Sequence, residues 1–273
     1  MTTTPNITLN NGTTIPQIGL GLWQVDDGKE CINAIHSGLE NGYTHFDSAQ
    51  AYDNEQYVGE ALKSAGINRE DLFITTKLWN DNQFFDDVIP SFDSSLEKLQ
   101  MDYVDLFLVH FPVTELRRPA WHKMQEIAES GRAKSIGVSN YTIKHLEELL
   151  TECNIKPVVN QVEVHVYLQQ KELRDYCIQN EIQVEAYSPL AHGNGIDNPV
   201  LNKIADKYDK SSAQIMIKWC TAMGLVVLPK SVTPARIKEN IDILDFELDE
   251  EDLSLIAGLE HNFRTCWDPT NVA

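Results

Sequence analysis

Eight short apolar segments alternate along the chain with segments of helical periodicity, and this alternation constrains the fold more than any other feature. The predicted strands cover residues 18–23, 43–46, 72–77, 103–110, 134–138, 157–162, 182–186 and 225–228. Strands that are apolar on both faces and joined by helices are typical of a parallel sheet. Eight such units in 273 residues favour a closed (β/α)8 barrel over an open α/β sheet.

The remaining elements complete a single α/β domain that we expect to span residues 1–273. The Asn11-Gly12 pair within residues 7–15 predicts an N-terminal β-hairpin. Helical spacing, capping residues and terminal glycines predict helices over residues 29–39, 55–64, 84–99, 121–129, 143–150, 170–180, 200–208, 212–223, 235–241 and 250–259. Asn54 precedes the second of these helices, and we expect its side chain to cap that helix.

The charge, the cysteines and the N-terminus exclude several classes of protein. A net charge of −19 and a pI near 4.7 make the chain a poor partner for nucleic acid or an anionic membrane. The five cysteines are scattered without a CxxC pair, which favours a reducing compartment. Residues 1–5 are unlike a signal peptide, and no apolar run reaches the length of a membrane span. We therefore expect a cytoplasmic monomer.

Three common ligand-binding motifs are absent from the sequence. Gly19 and Gly21 begin a GxGxxG fingerprint, but Gln24 stands where its third glycine belongs. Neither a GxxxxGK[ST] phosphate loop nor an HExxH zinc motif occurs. His145 and Glu148 share a predicted helix, where an exposed pair is expected rather than a metal site. We expect no bound metal.

Polar or aromatic side chains stand at the ends of seven predicted strands. They are Asp47, Lys77, His110, Asn140, Gln161, Tyr187 and Lys230. Taken alone, Asp47 could be a helix-capping carboxylate and His110 a hydrogen-bonded core histidine. However, the carboxyl ends of parallel strands meet at one mouth of a barrel, where buried charge brings no stability of its own. Their convergence predicts a ligand site at this mouth.

Asp47, Tyr52, Lys77 and His110 together suit proton donation to a carbonyl oxygen. A phenol with a pKa near 10 is a weak acid at neutral pH, and we expect the ammonium group of Lys77 to lower that pKa. Asp47 can keep a buried Lys77 charged, and His110 can hydrogen-bond and orient a substrate oxygen. Such a set serves a reduction in which another group delivers hydride.

Seven motifs resemble, in order and spacing, those of the aldo-keto reductases. They are GYTHFDSAQAYDNE, ITTKLW, DLFLVHFP, SIGVSNY, VVNQVEVH, AYSPLA and VLPKSVTPARIKEN, and together they extend over nearly the whole chain. The resemblance implies a TIM barrel with an N-terminal β-hairpin across its bottom and two extra helices. Here the extra helices are those before Ser212 and after Leu248.

The resemblance also implies catalytic and substrate-binding roles. Tyr52 matches the general acid, Asp47 and Lys77 match the pair that tunes it, and His110 matches the residue that orients the carbonyl group. The residues that match the walls of the substrate pocket are Trp23, Tyr52, Trp79, His110, Phe111 and Trp267.

The coenzyme implied by the resemblance is NADPH. The residues that match its nicotinamide half are Gly21, Leu22, Trp23, Asp47, Ser139, Asn140, Gln161 and Tyr187, the last stacked on the ring. Those that match the pyrophosphate loop are Ser188 and Leu190, and those that match the adenosine end are Lys230, Ser231, Val232, Thr233, Arg236, Glu239 and Asn240.

The residues around Lys230 and Arg236 also favour NADPH over NADH on chemical grounds. Lys230 and the hydroxyl groups of Ser231 and Thr233 precede a short predicted helix, and Arg236 lies in its first turn. Barrel enzymes often bind phosphate at such a helix after the last strand. In a chain of net charge −19, such a local basic cluster suits the 2′-phosphate that NADH lacks. The alternative is that both cations pair with Glu239 and other surface acids.

Some positions depart from the family pattern. Phe111 stands where the family usually has tryptophan, and both the segment 112–119 and the C-terminal tail are short. These departures predict an open, less selective pocket. Arg117 and Arg118 could attract acidic substrates, but we expect a solvated pair.

Two functions remain compatible with the sequence. The first is an NADPH-dependent reductase of aldehydes or ketones, and the second is a regulatory module of the same fold that holds NADPH as a sensor. The intact set of Asp47, Tyr52, Lys77 and His110 favours the enzyme. Sugars, keto acids, methylglyoxal-like aldehydes and aryl aldehydes all remain open as substrates.

Overall fold

A β-hairpin precedes an eight-stranded barrel in the computed structural model, which describes residues 4–273. Residues 1–3, part of the stretch in which we predicted no signal peptide, lie outside the described chain. The antiparallel hairpin pairs β1 (Asn6–Thr8) with β2 (Thr14–Pro16). The barrel strands are β3 (Leu20–Gly21), β4 (His45–Asp47), β5 (Phe73–Leu78), β6 (Val104–Val109), β7 (Ala133–Ser139), β8 (Val159–Glu163), β9 (Gln183–Tyr187) and β10 (Val226–Leu228).

The barrel strands lie side by side in chain order, each parallel to its neighbour. Hydrogen bonds between the two end strands then close the barrel, because Gly19 N donates to Val227 O at 2.9 Å and Gly21 N donates to Pro229 O at 3.2 Å. A Cβ atom on Gly19 would lie 2.6 Å from the ring of the buried His45, so the closure needs glycine there. The predicted (β/α)8 barrel with its N-terminal hairpin is confirmed.

Ten α-helices are present among residues 4–273, and they cover the barrel. They are α1 (Gly28–Glu40), α2 (Glu55–Ala65), α3 (Val88–Leu99), α4 (Arg117–Glu129), α5 (Ile143–Leu150), α6 (Lys171–Gln179), α7 (Pro199–Tyr208), α8 (Ser212–Ala222), α9 (Pro234–Ile241) and α10 (Glu250–Ala257). The two extra helices are α7 and α10. No helix in this described range is both long and apolar enough to cross a lipid bilayer.

Two helices begin four residues away from the predicted position, and the others begin within one residue of it. Helix α3 begins at Val88 rather than near residue 84, and Pro90 lies in its first turn, where a missing N–H breaks no helical bond. Helix α4 begins four residues early, at Arg117. The Arg117 guanidinium is buried and pairs with Glu148 of α5, and this contact between helices favours the extra turn.

The Asn54 side chain does not cap α2, which corrects the prediction. Its amide nitrogen donates to Leu22 O at 2.9 Å and to Val25 O at 3.0 Å, and its oxygen accepts from Ser48 Oγ at 2.6 Å. Burial explains the change, because the two carbonyl groups would otherwise lack partners. Asn54 therefore ties the loop after β3 to the turn after β4.

The hairpin lies at the amino ends of the barrel strands. Asn10 Nδ2 donates to Pro157 O, just before β8, and Asn11 Nδ2 donates to Ser135 Oγ near the start of β7. The opposite mouth, at the carboxyl ends, stays clear of the hairpin.

Candidate active site

Lys77 lies at the centre of a buried polar cluster at the carboxyl ends of β4 and β5. Its side chain is fully buried, and Nζ donates to Asp47 Oδ1 at 2.5 Å, to Ser48 O at 2.8 Å and to Tyr52 OH at 3.2 Å. Burial alone would lower the pKa of Lys77, but the negative charge of Asp47, together with the hydrogen bonds to Asp47 and Tyr52, outweighs it, so the pKa is raised. Lys77 is therefore a cation at neutral pH, as the sequence predicted.

Tyr52 ends a short 3-10 helix, Gln50–Tyr52, that follows β4. Burial is the largest influence and raises the pKa of Tyr52; the charge of Lys77 lowers it, and Asp47 raises it again. The expected influence of Lys77 is present, but the expected net lowering is wrong because burial dominates. The Tyr52 phenol thus keeps its proton at neutral pH, as a proton donor must.

His110 follows β6 and faces Tyr52 across the mouth. Its ring lies edge-on to the Tyr52 ring at 5.6 Å and to the Trp79 ring at 5.3 Å. Burial, followed by the charge of Lys77, holds the pKa of His110 well below its usual value. His110 is therefore a neutral imidazole, able to hydrogen-bond a substrate oxygen without transferring charge to it.

A second polar group, at the ends of β7, β8 and β9, faces this cluster. Ser139 Oγ donates to Gln161 O at 2.9 Å, Asn140 Nδ2 donates to His110 O at 2.9 Å, and Tyr187 OH donates to Asn140 Oδ1 at 2.8 Å. Gln161 Nε2 donates to Asp47 Oδ2 at 2.8 Å. One hydrogen-bond network therefore joins the predicted carboxamide-binding residues to the predicted catalytic set.

A cavity of about 920 Å³ opens at this mouth of the barrel. The predicted site residues that line it are Gly21, Trp23, Asp47, Tyr52, Trp79, His110, Ser139, Asn140, Gln161, Tyr187, Ser188, Leu190, Lys230 and Trp267. Several lining residues have non-glycine backbones at positive φ, a strained conformation that concentrates at functional sites: Gln24, Asp53, Asn140, Ser188 and His192. Across residues 4–273, no three His, Cys, Asp or Glu side chains are grouped as metal ligands.

Besides the fully buried Lys77, two predicted residues of the nicotinamide and substrate sites, Leu22 and Phe111, do not line the cavity. Leu22 is fully buried in the core, and its backbone N–H donates to Asp47 O at 3.0 Å. The Phe111 ring packs edge-on at 6.0 Å against the ring of Trp267, which does line the cavity. Their predicted contacts with coenzyme and substrate stay predictions.

The predicted adenosine-binding residues lie beyond the cavity, in the loop after β10 and in α9. They are Ser231, Val232, Thr233, Arg236, Glu239 and Asn240. Lys230 and Arg236 are exposed, and neither makes an ion pair with a carboxylate of the described residues. Glu239 instead accepts a hydrogen bond from Ser211 Oγ. The alternative of a surface ion-pair cluster is thus not favoured.

The C-terminal segment completes the cavity through a contact that sequence reasoning missed. Glu163, fully buried at the end of β8, accepts from Thr265 N at 2.7 Å and from Cys266 N at 3.1 Å. These bonds place Trp267 5.8 Å from the Trp79 ring. Glu163 stands in the VVNQVEVH motif, but the tail has no periodicity that could have indicated the contact.

The same tail explains two wrong predictions about exposure. His145 is buried, and its Nε2 lies 3.0 Å from Val272 O. Arg117 is also buried and paired, so it is neither solvated nor directed at a substrate, whereas Arg118 is exposed and pairs with Glu152.

Gln50 and His192 are two further lining residues that the sequence did not single out. Gln50 Oε1 accepts from Trp79 N at 2.8 Å and so holds one wall of the cavity. His192 Nε2 lies 3.0 Å from Ser188 Oγ, and its ring lies 5.2 Å from that of Trp23. His192 lies in a glycine-containing loop, but nothing in the sequence indicates which way its ring points.

Comparisons with known proteins agree with this geometry. The sequence profile of the aldo/keto reductase family matches residues 17–195 and 196–261. The chain is 48% identical over 269 residues to methylglyoxal reductase DkgA of Escherichia coli, with 96% of each chain covered. It is 44% identical over 263 residues to glyoxal reductase of Bacillus subtilis, with 96% of this chain and 95% of that one covered.

The fold comparison gives the same result. The crystal structure of an aldo-keto reductase of Bombyx mori in complex with NADP matches with a TM-score of 0.91 and 37% sequence identity, covering 97% of this chain and 95% of that one. From its profile match, its relatives and its barrel, this chain belongs to the aldo/keto reductase family.

Proposed function

We propose that the protein reduces small aldehydes and ketones to alcohols with NADPH. The observation that carries this proposal is that Asp47, Tyr52 and His110 line the cavity together, with the ammonium of the fully buried Lys77 3.2 Å from Tyr52 OH. A module that only bound the coenzyme would need neither a proton donor nor a buried cation to tune it.

The residues present fit NADPH. A Cβ atom on Gly21 would lie 3.3 Å from Leu228 O and 3.7 Å from Lys230 Cβ, so glycine keeps that edge of the cavity open. Ser139, Asn140 and Gln161 would hold the carboxamide, with the Tyr187 ring against the nicotinamide. When bound, the coenzyme supplies a hydride to the substrate carbon.

Tyr52 is the proton donor in this proposal. The phenol passes its proton to the carbonyl oxygen, and the Lys77 ammonium stabilises the phenolate that remains. Asp47 keeps Lys77 charged during this step. His110, which is neutral, donates a hydrogen bond that holds the same carbonyl oxygen in position.

The substrate class is a small aldehyde, and we include dicarbonyl compounds such as methylglyoxal and glyoxal. The rings of Trp23, Trp79 and Trp267 form apolar walls, while the polar groups are gathered at the cavity floor. A compact carbonyl compound suits such a pocket, and two similar proteins carry the names methylglyoxal reductase and glyoxal reductase.

Lys230 and Arg236 are the proposed ligands of the coenzyme 2′-phosphate, with hydroxyl groups from Ser231 and Thr233. Both cations are exposed and without carboxylate partners in the described chain. Charge-assisted bonds to phosphate are among the stronger polar contacts.

The test is NADPH oxidation by the purified protein with glyoxal, methylglyoxal, a keto acid, a sugar aldehyde and an aryl aldehyde, comparing kcat/KM. Faster turnover of the small aldehydes supports the proposal. NADPH binding without oxidation by any of them would instead favour the sensor module. That residues 1–273 act as one domain in a cytoplasmic monomer stays a prediction.

A further inference from the structure

Glu185 is a fully buried carboxyl group inside the barrel to which the proposed reaction assigns no role. It lies on β9, below the cavity, and its Oε2 accepts from Gln161 Nε2 at 2.8 Å. Its Oε1 is also buried and has no hydrogen-bond partner within standard distance among residues 4–273. His45 Nε2 lies 3.6 Å from Oε1.

The amide of Gln161 is held between two carboxyl groups. Its Nε2 donates to Asp47 Oδ2 at 2.8 Å and to Glu185 Oε2 at the same distance. An amide nitrogen carries two hydrogens, so both are used in these bonds. Because Gln161 lines the cavity, its carbonyl oxygen is the remaining polar atom of the side chain that can accept a hydrogen bond from a carboxamide NH2 group.

The protonation of His45 follows from its surroundings. Its Nδ1 lies 3.4 Å from Pro16 O, which can only accept, so Nδ1 carries the hydrogen and Nε2 is the acceptor. Burial lowers the pKa of His45 to about 3, which keeps the ring neutral. The single lone pair of Nε2 lies 3.2 Å from Thr75 Oγ1 and 3.6 Å from Glu185 Oε1, so one of these two groups at a time can donate a hydrogen bond to it.

We propose that Glu185 is a positioning residue that works as a neutral carboxylic acid, with its proton toward His45 and its other oxygen fixing the Gln161 amide. The inference rests on the proposed function, because the orientation of the Gln161 carbonyl has a consequence only if that carbonyl binds the carboxamide group of NADPH. Burial, and next the charge of Asp47, raise the pKa of Glu185 to about 8, in agreement with a neutral group at physiological pH.

The proposal predicts what happens when Glu185 ionises. The charged and titratable groups facing it are His45 and Asp47 on β4 and Lys77 on β5, with the Gln161 amide on β8 between the two acids. Ionisation places a second negative charge next to Asp47, which opposes the stabilisation of the Tyr52 phenolate by Lys77. The Gln161 bond survives, since a carboxylate accepts it equally well. Reduction should therefore slow at alkaline pH while NADPH affinity is kept.

The experiment compares Glu185→Gln, Glu185→Leu and the unmutated protein, with thermal unfolding as a check on folding. Glutamine reproduces the neutral acid, with its oxygen toward Gln161 and its NH2 toward His45. The unmutated protein should lose about tenfold in kcat between pH 7 and pH 9, as expected for loss of the neutral form of a group of pKa about 8. Glu185→Gln should keep kcat at pH 7 within about twofold and lose most of this alkaline decline.

Glu185→Leu tests the positioning role by a different readout. It removes one partner of Gln161, so the amide is free to turn, and the dissociation constant of NADPH measured by fluorescence should rise about tenfold. Glu55→Gln is the matched control, because Glu55 is also buried and bonds to Thr76 Oγ1 at 2.7 Å, away from the Gln161 network. It should leave both the alkaline decline and the NADPH affinity unchanged.

Two results overturn the inference. One is a Glu185→Gln variant that folds but is at least tenfold less active at pH 7, since this would show that the charge is required. The other is a Glu185→Gln variant with the alkaline decline of the unmutated protein. If the unmutated protein reduces no carbonyl compound, the proposed function fails, and the NADPH affinity of Glu185→Leu still decides the positioning role.

Discussion

The replacement of Tyr52 by phenylalanine separates chemistry from stability. Among residues 4–273 the Tyr52 hydroxyl has one hydrogen-bond partner, Lys77 Nζ at 3.2 Å, and Lys77 keeps its shorter bonds to Asp47 and Ser48 without it. Loss of one such bond costs about 0.5–1.5 kcal/mol of unfolding free energy. We therefore expect Tyr52→Phe to fold, with a small decrease in melting temperature.

The effect on turnover should be much larger. A positioned acid contributes roughly 10²- to 10⁴-fold, which corresponds to about 3–5 kcal/mol of activation free energy. The cavity side chains that would contact the coenzyme are unchanged in the variant, so the dissociation constant of NADPH should stay within about threefold of the original. Steady-state NADPH oxidation with methylglyoxal measures kcat, and quenching of tryptophan fluorescence by NADPH measures its dissociation constant.

Tyr43→Phe is the matched control for this substitution. The Tyr43 phenol is also buried and also makes a 3.2 Å hydrogen bond, to Ile237 O, outside the cavity. The Tyr43→Phe variant should lose about as much unfolding free energy as Tyr52→Phe and keep the kcat of the unmutated protein. A Tyr52→Phe variant with near-normal kcat would refute the reasoning, because Tyr52 could not then be the proton donor.

Other substitutions separate coenzyme, substrate and stability effects. Arg236→Ala should raise the KM for NADPH about tenfold or more and leave that for NADH nearly unchanged, since a charge-assisted phosphate contact is worth about 1.5–3 kcal/mol. Equal use of both coenzymes by the unmutated protein would contradict this prediction. Trp267→Ala should raise the KM for an aryl aldehyde more than that for methylglyoxal, because it removes the 5.8 Å ring contact with Trp79; equal effects on both would count against Trp267 as a pocket wall. The free energy of unfolding should fall as the pH drops below about 6.5, because the pKa values of His45 and His110 are lowered in the folded protein and these residues are protonated first in the unfolded chain. The decrease should reach up to about 1.4 kcal/mol per pH unit for each of the two residues. Chemical denaturation of His45→Gln should show a shallower decline, and an equally steep one would remove His45 as a source.

The candidate site residues that the structure brings to the mouth of the barrel, as the sequence predicted, stand at the ends of strands. A residue such as Lys77 or His110 is recognisable because an apolar run stops there, and the parallel topology then brings such ends to one mouth. The barrel itself follows from the alternation of strands and helices, which is a local pattern. Neither conclusion needs knowledge of which side chains touch.

The predictions from sequence were wrong for side chains that bond to a residue distant in sequence instead of serving their own helix. Asn54 has the position and chemistry of a helix cap, yet its amide serves two carbonyl groups near β3, 29 and 32 residues away in sequence. His145 has the spacing of an exposed helical residue, yet the tail covers it. In both cases burial decides, because a buried carbonyl group that is left without a hydrogen-bond partner costs free energy.

The barrel was determined by the sequence alone, and so was the set of residue types at its mouth. Which atoms meet was decided only by the tertiary structure. Gln161 and Asp47 are 114 residues apart, and their bond depends on how eight strands are staggered when the barrel closes. The same closure places Glu185 under Gln161 and the tail over Glu163. No local pattern records that stagger, because it results from packing all the strands and helices at once.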